Sequence, residues 1–397
     1  MLFELLRLAI ITTHPIQYNA PMFKLLAERG KIEVMVFYTW GESAINKYDP
    51  GFDKMIEWDV PLLKGYSFCF VKNVSANPGS NSFMGIDNPT LIKEISNWKA
   101  DAVLVYGWCF KSHLKAIRYF HKKIPVIFRG DSTTLNEKKG LKKIARSLFL
   151  KWVYNHVDYA LYVGVHNKSY FKKQGLKEDQ LVLAPHAIDN SRFAQPDDEY
   201  NEAARKWRYE LGVKEHELSI LFAGKIEEVK NPAYLVALAK KMQGLPIKII
   251  MVGNGHLEHE IKASSADCSN IIFLDFQNQR NMPVVYRLGD LFILPSKSET
   301  WGLGVNEAMA CGKGVLVSDR CGCAADLVIN DQNGYVFSIE RTNDLLSKIK
   351  DLVVHKERVK IMGLASSKKV EDFSFLNTAR AIEMTIKTIF TSNAHTK

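Results

Sequence analysis

The sequence predicts an α/β protein of two Rossmann-like domains, and three observations carry this prediction. The 397 residues are roughly two to three times the length of a typical domain. Short apolar runs of strand length alternate with helical patterns, which indicates parallel sheets covered by helices. A polar stretch at 194–207 interrupts this alternation, which then restarts. We therefore expect an N-terminal domain at 1–195, a C-terminal domain at 196–375 and a final helical segment at 376–397.

Each predicted strand is an apolar run bounded by polar or turn-forming residues. In the first domain these runs lie at 8–12, 32–38, 102–106, 126–129, 160–163 and 181–184. In the second domain they lie at 218–222, 247–252, 271–274, 291–294, 314–317 and 335–337. Helical patterns lie at 21–28, 91–98, 111–120, 138–153 and 376–392. In open α/β sheets, ligands bind beyond the carboxyl ends of the strands, so functional residues are expected just after them.

Composition excludes several classes of function. The net charge of +10 favours a phosphorylated substrate or an anionic membrane surface, and no nucleic-acid partner is expected because no nucleic-acid-binding motif accompanies the charge. No apolar run reaches the ~18 residues of a membrane span, and the opening MLFELLRLAIITTHP predicts a first strand rather than a signal peptide. The six cysteines form no C-x-x-C pair, so no zinc site is expected and reduced thiols fit the cytoplasm.

The segment SKSETWGLGVNEAMACGKGVLV, at 296–317, carries the strongest functional signal. It places Glu299 on a loop after a predicted strand, Gly302 and Gly304 next, and Glu307 in the first turn of a helix. A helix start preceded by glycines attracts phosphate, and a carboxylate beside it can bind sugar hydroxyls. The segment suits a sugar nucleotide; the alternative is an ordinary βαβ corner with a surface glutamate and an N-terminal helix charge.

The two glutamates, with TWGLGVN between them and AMACGKGVLVS after them, resemble the E-x7-E signature of the retaining glycosyltransferases of family 4. The resemblance implies the GT-B fold, in which two Rossmann-like domains face a central cleft and the last helix returns to the first domain. It also implies that Glu299 orients the transferred sugar and that Glu307 accepts hydrogen bonds from the ribose. The implied donor site further includes Thr300, Trp301, Gly302, Leu303 and Gly304.

Two lysines follow a predicted strand in the segment AGKIEEVKNP. Gly224 permits a turn there, and Lys225 and Lys230 could neutralise a diphosphate. The segment is similar to the basic donor-pyrophosphate segment of the family, although lysine at the first position loses the bidentate geometry of arginine. The alternative is two solvated lysines on a loop. Phe276 and Gln277 end a later strand, where the family commonly contacts the nucleobase.

The first domain offers candidates for the acceptor or sugar side. His14 and Gln17 lie in THPIQYNAP, which resembles the HPIQY opening of a subgroup of bacterial family 4 enzymes. Both could contact substrate in place of the Gly-Gly turn of other relatives, and the alternative for His14 is a loop-capping histidine. Trp108 follows another strand end and could offer an aromatic platform to a sugar ring or close the core.

Arg129 and Asp131 lie at the end of the strand predicted at 126–129. Many relatives place a histidine in this turn, and its absence here means that no catalytic histidine is carried over. Arg129 could pair with a phosphate, and Asp131 could bind a sugar hydroxyl or act as the base for the acceptor. The alternative is an internal Arg–Asp salt bridge.

The chain contains no D-x-D motif, so we expect metal-independent transfer with no cofactor beyond the nucleotide-diphosphate sugar that serves as donor substrate. The resemblance implies a hexosyltransferase that extends a glycan or lipid-linked glycan in cell-surface polysaccharide biosynthesis, of the lipopolysaccharide kind. The catalytic candidates are Glu299, Lys230, Lys225 and Asp131. The alternatives are a GT-B nucleotide-sugar epimerase and a non-catalytic scaffold that binds glycolipids.

A basic amphipathic helix is predicted within NEKKGLKKIARSLFLKWV, at 136–153. Its basic residues are Lys138, Lys139, Lys142, Lys143, Arg146 and Lys151, and its apolar residues are Leu141, Ile144, Leu148, Phe149 and Trp152. Such a helix can lie on anionic lipid; the alternative is a core-packed helix with a solvated basic face. We therefore expect a cytoplasmic protein, with peripheral attachment to the inner face of the plasma membrane as a further candidate property.

Overall fold

The computed structural model describes residues 5–42, 47–49, 54–56, 58–135, 141–194 and 198–394. The chain forms two compact units, of which the first comprises 1–47, 61–186 and 375–397 and the second 48–60 and 187–374. The domain boundaries expected from the sequence stay predictions. No helix in the described part of the chain is both long and apolar enough to span a bilayer.

Parallel strands build both units. The described strands are β1 (Arg7–Thr12), β2 (Glu33–Tyr38), β3 (Lys47–Asp49), β4 (Lys54–Ile56), β5 (Ser67–Phe70), β6 (Ala102–Tyr106), β7 (Val126–Arg129), β8 (Tyr159–Tyr162), β9 (Leu181–Leu183), β10 (Leu218–Ala223), β11 (Ile247–Val252), β12 (Ile271–Leu274), β13 (Leu291–Leu294), β14 (Gly314–Ser318) and β15 (Gly334–Phe337). The first unit has a seven-stranded sheet of order β5-β2-β1-β6-β7-β8-β9, and the second a six-stranded sheet of order β12-β11-β10-β13-β14-β15. Strands β3 and β4 form a separate two-stranded sheet.

Helices connect the strands, as a parallel sheet requires. The described helices are α1 (Ala20–Arg29), α2 (Leu91–Asn97), α3 (Lys111–Phe120), α4 (Leu141–Tyr154), α5 (Val165–Lys173), α6 (Asn190–Ala194), α7 (Asp198–Glu210), α8 (Pro232–Lys241), α9 (Glu258–Ser264), α10 (Met282–Leu288), α11 (Leu303–Ala310), α12 (Ala324–Leu327), α13 (Thr342–Val354), α14 (Lys356–Val370) and α15 (Phe375–Ala394). The predicted start of the basic helix, residues 138–140, lies outside the described residues. Helix α4 begins at Leu141.

The strands predicted from apolar runs are all present, with ends that differ by one residue at most. Most of these strands are buried on both faces, as in β1, where Leu8, Ile10 and the residues between and after them are buried, whereas β9 and β12 are largely half-buried. This explains why continuous apolar runs rather than alternating ones mark them. Among the described strands, the prediction omits β3, β4 and β5. They are only three or four residues long, and β5 is an edge strand whose residues are exposed or half-buried, so no long apolar run marks them.

The last helix, α15, belongs to the first unit and packs its apolar face into that unit's core, with Ala379, Ile382 and Ile386 buried. Beside this face, Glu383 accepts two hydrogen bonds from the Arg29 guanidinium, at 2.6 and 2.9 Å. A bidentate pair of this kind, with the Glu383 side chain only 7% exposed, fixes the helix to α1 more firmly than an exposed ion pair would.

Candidate functional site

The loop after β10 carries Lys225 and Lys230 and is called the lysine loop below. The glycine turn after β11 supports it through backbone hydrogen bonds. The Gly224 N–H donates to the Val252 carbonyl and the Ile226 N–H to the Asn254 carbonyl, both at 3.0 Å. A Cβ at Gly253, where φ is +135°, would lie 2.0 Å from the Gly224 carbonyl oxygen. The turn is therefore a backbone support for the loop that carries the two lysines, because only glycine allows this close approach.

Asn254 joins this lysine loop to the segment after β12. Its side chain is buried and donates to Glu258 at 2.9 Å and to Asp275 at 3.1 Å. Its Oδ1 accepts the Phe276 N–H at 2.8 Å, which sets the position of the half-buried Phe276 and Gln277. The nucleobase contact of these two residues stays a prediction, and Asn254, which sets their position, is a residue that sequence reasoning missed.

The loop after β13 carries Glu299 and is supported from its other side by residues 320–323. The Glu299 N–H donates to the Arg320 carbonyl (3.2 Å), the Gly322 N–H to the Glu299 carbonyl (3.0 Å) and the Cys323 N–H to the Trp301 carbonyl (3.1 Å). This is a short stretch of parallel pairing beyond the end of β14. It holds the Glu299 backbone in one position without using the carboxylate.

The structure brings two of the predicted catalytic residues together. Lys230 donates to a carboxylate oxygen of Glu299, and their side chains are 22% and 19% exposed. Strands β10 and β13 are neighbours in the sheet, and the Lys297 N–H donates to the Val229 carbonyl at 2.8 Å, which ties the two loops together. A cation and an anion thus lie side by side at the carboxyl edge of the sheet and are partly open to solvent. This edge is where parallel sheets bind ligands.

Helix α11 begins immediately after this pair. Its preceding residue, Gly302, has φ +103°, and a Cβ there would lie 2.8 Å from the Leu294 side chain and 3.5 Å from the Cys323 thiol. Leu303 and Gly304 form the start of the helix, where backbone N–H groups lack helical acceptors and attract anions. The requirement for glycine at Gly302 comes from its backbone conformation and packing, in addition to any approach of a ligand.

Glu307 does not lie in the first turn, and that part of the prediction is wrong. It is the fifth residue of α11, because the helix begins at Leu303, directly after the left-handed backbone of Gly302. Its side chain is buried, and one carboxylate oxygen accepts the Tyr286 hydroxyl at 2.6 Å. The contact to ribose stays a prediction, and Tyr286 is a partner that sequence reasoning missed, since 21 residues separate it from Glu307.

Thr300 and Trp301 have different surroundings. Thr300 is exposed, whereas Trp301 is buried, donates its indole N–H to Asn306 at 2.8 Å and packs 5.8 Å from the Phe373 ring. The Trp301 side chain thus anchors the loop to the core of the second unit. Donor contacts of both residues stay predictions, and for Trp301 only the backbone is placed to make them.

In the first unit, Arg129 is turned inward. Its guanidinium is buried and donates to the carbonyls of Ala184 (2.8 Å) and Pro185 (3.2 Å), and burial lowers its pKa. The electrostatic effects of Tyr106 and Asp131 oppose that shift in pKa. Arg129 therefore joins the end of β7 to the turn after β9, and its proposed phosphate contact stays a prediction.

A histidine that sequence reasoning missed lies beside this pair. His186 is half-buried, and its pKa is lowered to about 4 by burial and by the Arg129 charge, against the effect of Asp131. The imidazole is neutral at pH 7, so it can donate or accept a hydrogen bond without carrying charge. The available signal was its place directly after a strand, in the segment LAPHA.

The other candidates of the first unit lie at two separate strand ends. His14 is half-buried and its ring lies 5.0 Å from that of Trp40, edge to face. Gln17 is also half-buried. The Trp108 ring packs 5.4 Å from Phe149 of α4, beside the core of the unit, which favours the core-closing alternative. Substrate contacts of all three stay predictions.

Metal independence also stays a prediction. Among the described residues, no group of three or more histidine, cysteine, aspartate or glutamate side chains is arranged to hold a metal ion.

The match to a known protein family lies within the second unit. Residues 203–369 match the family described as "Glycosyl transferases group 1". The D-inositol 3-phosphate glycosyltransferase of Rhodococcus erythropolis (strain PR4 / NBRC 100887) is 30% identical over 210 residues, which cover 50% of this chain and 46% of that protein. The chain thus spans about half the length of the curated relatives it matches. The lysine loop, Glu299 and α11 all lie inside the matched region.

Solved structures match nearly the whole chain. Sucrose-phosphate synthase from Thermosynechococcus elongatus has a TM-score of 0.73 at 15% identity, over 98% of this chain and 100% of that chain. Anabaena Alr3699/HepE in complex with UDP and glucose has a TM-score of 0.69 at 14% identity, over 96% and 99%. Identities this low establish the fold alone. The predicted fold class, α/β of the GT-B type, is confirmed.

Proposed function

We propose that this protein is a retaining glycosyltransferase that moves a sugar from a nucleotide-diphosphate donor to a glycan or lipid-linked glycan. The observation that supports this best is the partly exposed pair of Lys230 and Glu299 at the carboxyl edge of the second sheet. It lies next to the start of α11 and inside the region that matches the glycosyl transferase family. A binding protein would not need a cation and an anion held together at such an edge.

The geometry supports a mechanism that rests on charge and positioning. The bond between the sugar C1 and the phosphate oxygen breaks, the acceptor hydroxyl forms a bond to C1 on the same face, and its proton passes to the leaving phosphate. Lys225, Lys230 and the first N–H groups of α11 neutralise the charge that builds on the nucleotide. Glu299 leaves Lys230 and orients the sugar through a hydroxyl. Asp131 is proposed to bind a hydroxyl of the sugar or of the acceptor.

The comparisons suggest which substrates to test first. Anabaena Alr3699/HepE is described in complex with UDP-glucose, so UDP-glucose is the first donor candidate. Relatives named for D-inositol 3-phosphate make a phosphorylated inositol an acceptor candidate beside the cell-surface glycan expected from the sequence. The net charge of +10 suits an anionic acceptor of either kind.

The test is a thermal-shift screen of the full chain against nucleotide sugars, followed by product analysis with the donor that stabilises it. We expect release of the nucleoside diphosphate and a glycosylated acceptor of retained anomeric configuration, both in excess EDTA. An epimerised nucleotide sugar formed without acceptor would identify an epimerase. Stabilisation without any turnover would identify a binding protein, and loss of transfer in EDTA would remove the metal-independent mechanism.

A further inference from the structure

Helix α4 is apolar on two opposite sides. Its inner side is buried in the core of the first unit, through Leu150, Val153 and Tyr154. On the outer side, the exposed fractions are 60% for Ile144, 64% for Leu148, 40% for Phe149 and 41% for Trp152. Residues four apart lie on one side of a helix, so the outer side is a continuous apolar stripe. A helix that packs on a core needs only the inner one.

Helix α3 and the turn after it extend this stripe with an aromatic ring and two cations. Tyr119 is 41% exposed, and the Lys123 ammonium lies 3.3 Å from the centre of its ring. The Arg118 guanidinium lies 5.2 Å from the centre of the Trp152 ring. We define the α3–α4 face as Tyr119, Ile144, Leu148, Phe149 and Trp152 with these two cations. Tyrosine and tryptophan rings with basic side chains near them are typical of the interface between a membrane and water.

The charged residues of α3, of the turn after it and of α4 all have one sign. Residues 111–123 and 141–154 contain nine lysines and arginines and no aspartate or glutamate, in a chain whose whole net charge is +10. One of the nine, Lys111, pairs with Asp87 at 2.6 Å. Helices α3 and α4 thus carry both positive charge and five of the exposed large apolar side chains, which is the combination that anionic lipid binds.

We propose that the α3–α4 face binds the surface of an anionic phospholipid bilayer. The rings of Tyr119, Phe149 and Trp152 lie at the level of the headgroups, Ile144 and Leu148 reach the acyl boundary, and the cations contact headgroup phosphates. A second copy of the chain is a poorer occupant, because two acid-free faces would repel each other. This extends the sequence prediction for 136–153 to α3; Lys138 and Lys139 lie outside the described residues. It does not depend on the transferase activity.

The test is co-sedimentation of the full chain with vesicles of phosphatidylcholine alone and of phosphatidylcholine with roughly one third phosphatidylglycerol. We expect binding to the anionic vesicles only, weaker at high salt because the surface charge is screened. The double variant Ile144→Glu and Leu148→Glu should bind at least about tenfold less, since it inserts two charges into the apolar stripe. Both side chains are mostly exposed, so the fold should survive, which the melting temperature checks.

The matched control is the double variant Ile361→Glu and Leu364→Glu on α14 of the second unit, where the exposed fractions are 61% and 74%. It adds the same charge to the same protein and should bind vesicles as the wild type does. Equal loss in both variants, or wild-type protein that stays in the supernatant with anionic vesicles at low salt, would overturn the proposal. A wild-type dimer that the α4 variant converts to a monomer would assign the α3–α4 face to self-association instead.

Discussion

At the carboxyl edge of the first sheet, the Arg129 guanidinium is buried and its donors are taken by two backbone carbonyls. At the carboxyl edge of the second sheet, Lys230 and Glu299 pair with about a fifth of each side chain exposed. The first edge also buries the amide of Asn88, which donates to the carbonyls of Thr39 (2.9 Å) and of the residue that follows β5 (3.1 Å). The first edge thus uses its cation in hydrogen bonds inside the protein, and the other leaves charge within reach of a ligand.

The difference shows how to separate structural charge from functional charge when two domains share a fold. A buried cation with its donors satisfied by carbonyls holds loops together, and replacing it should cost stability. A partly exposed pair contributes little stability and is free to exchange partners. In the second unit the supporting work is done by backbone contacts of residues 253–255 and 320–323, which leaves the side chains of Lys230 and Glu299 available.

The sharpest way to test the comparison is to remove the pair of the second edge. Lys230→Ala and Glu299→Ala should each slow sugar transfer by about 10²-fold or more, because each removes a transition-state contact. The free energy of unfolding should fall by about 1 kcal/mol at most. Steady-state release of nucleoside diphosphate and urea denaturation measure the two effects. Lys240→Ala breaks a more exposed pair with Asp267 and should change neither; normal rates in both site variants would remove the pair from the site.

The opposite outcome is expected at the first edge. Arg129→Met keeps the volume of the side chain but leaves the carbonyls of Ala184 and Pro185 without donors, which should lower the free energy of unfolding by about 2 kcal/mol. Urea denaturation measures this loss, and the rate per folded molecule, with saturating substrates, should change less than in the Lys230 variant. A variant of normal stability with a 10²-fold slower rate would place Arg129 among the ligand-binding residues and contradict the contrast between the edges.

A smaller effect is expected from Tyr286→Phe. The hydroxyl donates to Glu307, so its loss should leave the carboxylate less well oriented while the ring keeps its packing. If Glu307 contacts the ribose equally in the ground and transition states, KM for the donor should rise about 3- to 10-fold with kcat nearly constant. Tyr209→Phe, at a side chain 85% exposed, is the control. A fall in kcat at constant KM would assign Glu307 to the chemical step.

The last prediction concerns the acid stability of the first edge. Burial lowers the pKa of His113 to about 4 from an ordinary 6.5, so between these values the unfolded chain binds more protons than the folded protein. Its contribution to stability is complete above pH 6.5 and is lost as the pH falls toward 4, by roughly 2 kcal/mol over two pH units. His113→Gln should flatten the dependence of the free energy of unfolding on pH in urea titrations; an unchanged slope would contradict the assignment.

The sequence allowed the fold to be predicted where burial alone marks an element. Strand β13 is predicted to the residue because LFIL is buried on both faces, and the adjacency of β10 and β13 at one edge explains why Lys230 and Glu299 meet. The start of α11 depends on the conformation of Gly302, which no spacing rule provides, and Glu307 was therefore placed one turn too early.

Contacts that cross between elements could not be predicted. The Tyr286–Glu307 hydrogen bond joins α10 to α11, the Asn254 side chain joins two loops, and His186 lies beside Arg129 although 57 positions separate them. Each depends on how helices pack against a sheet, which a linear pattern does not encode. For the same reason the apolar outer side of α4 could be distinguished from a core-facing one only by its exposure.

The Lys230–Glu299 contact also bears on what happens after each turnover. Under the proposed mechanism, Glu299 acts as a resident counter-ion that an incoming diphosphate must displace, and the donor sugar compensates by giving the carboxylate a new hydroxyl partner. The spent nucleotide offers no such hydroxyl, so Glu299 returns to Lys230 and competes with the phosphate for it. The ion pair would then favour the loaded donor over the used one and help to empty the pocket.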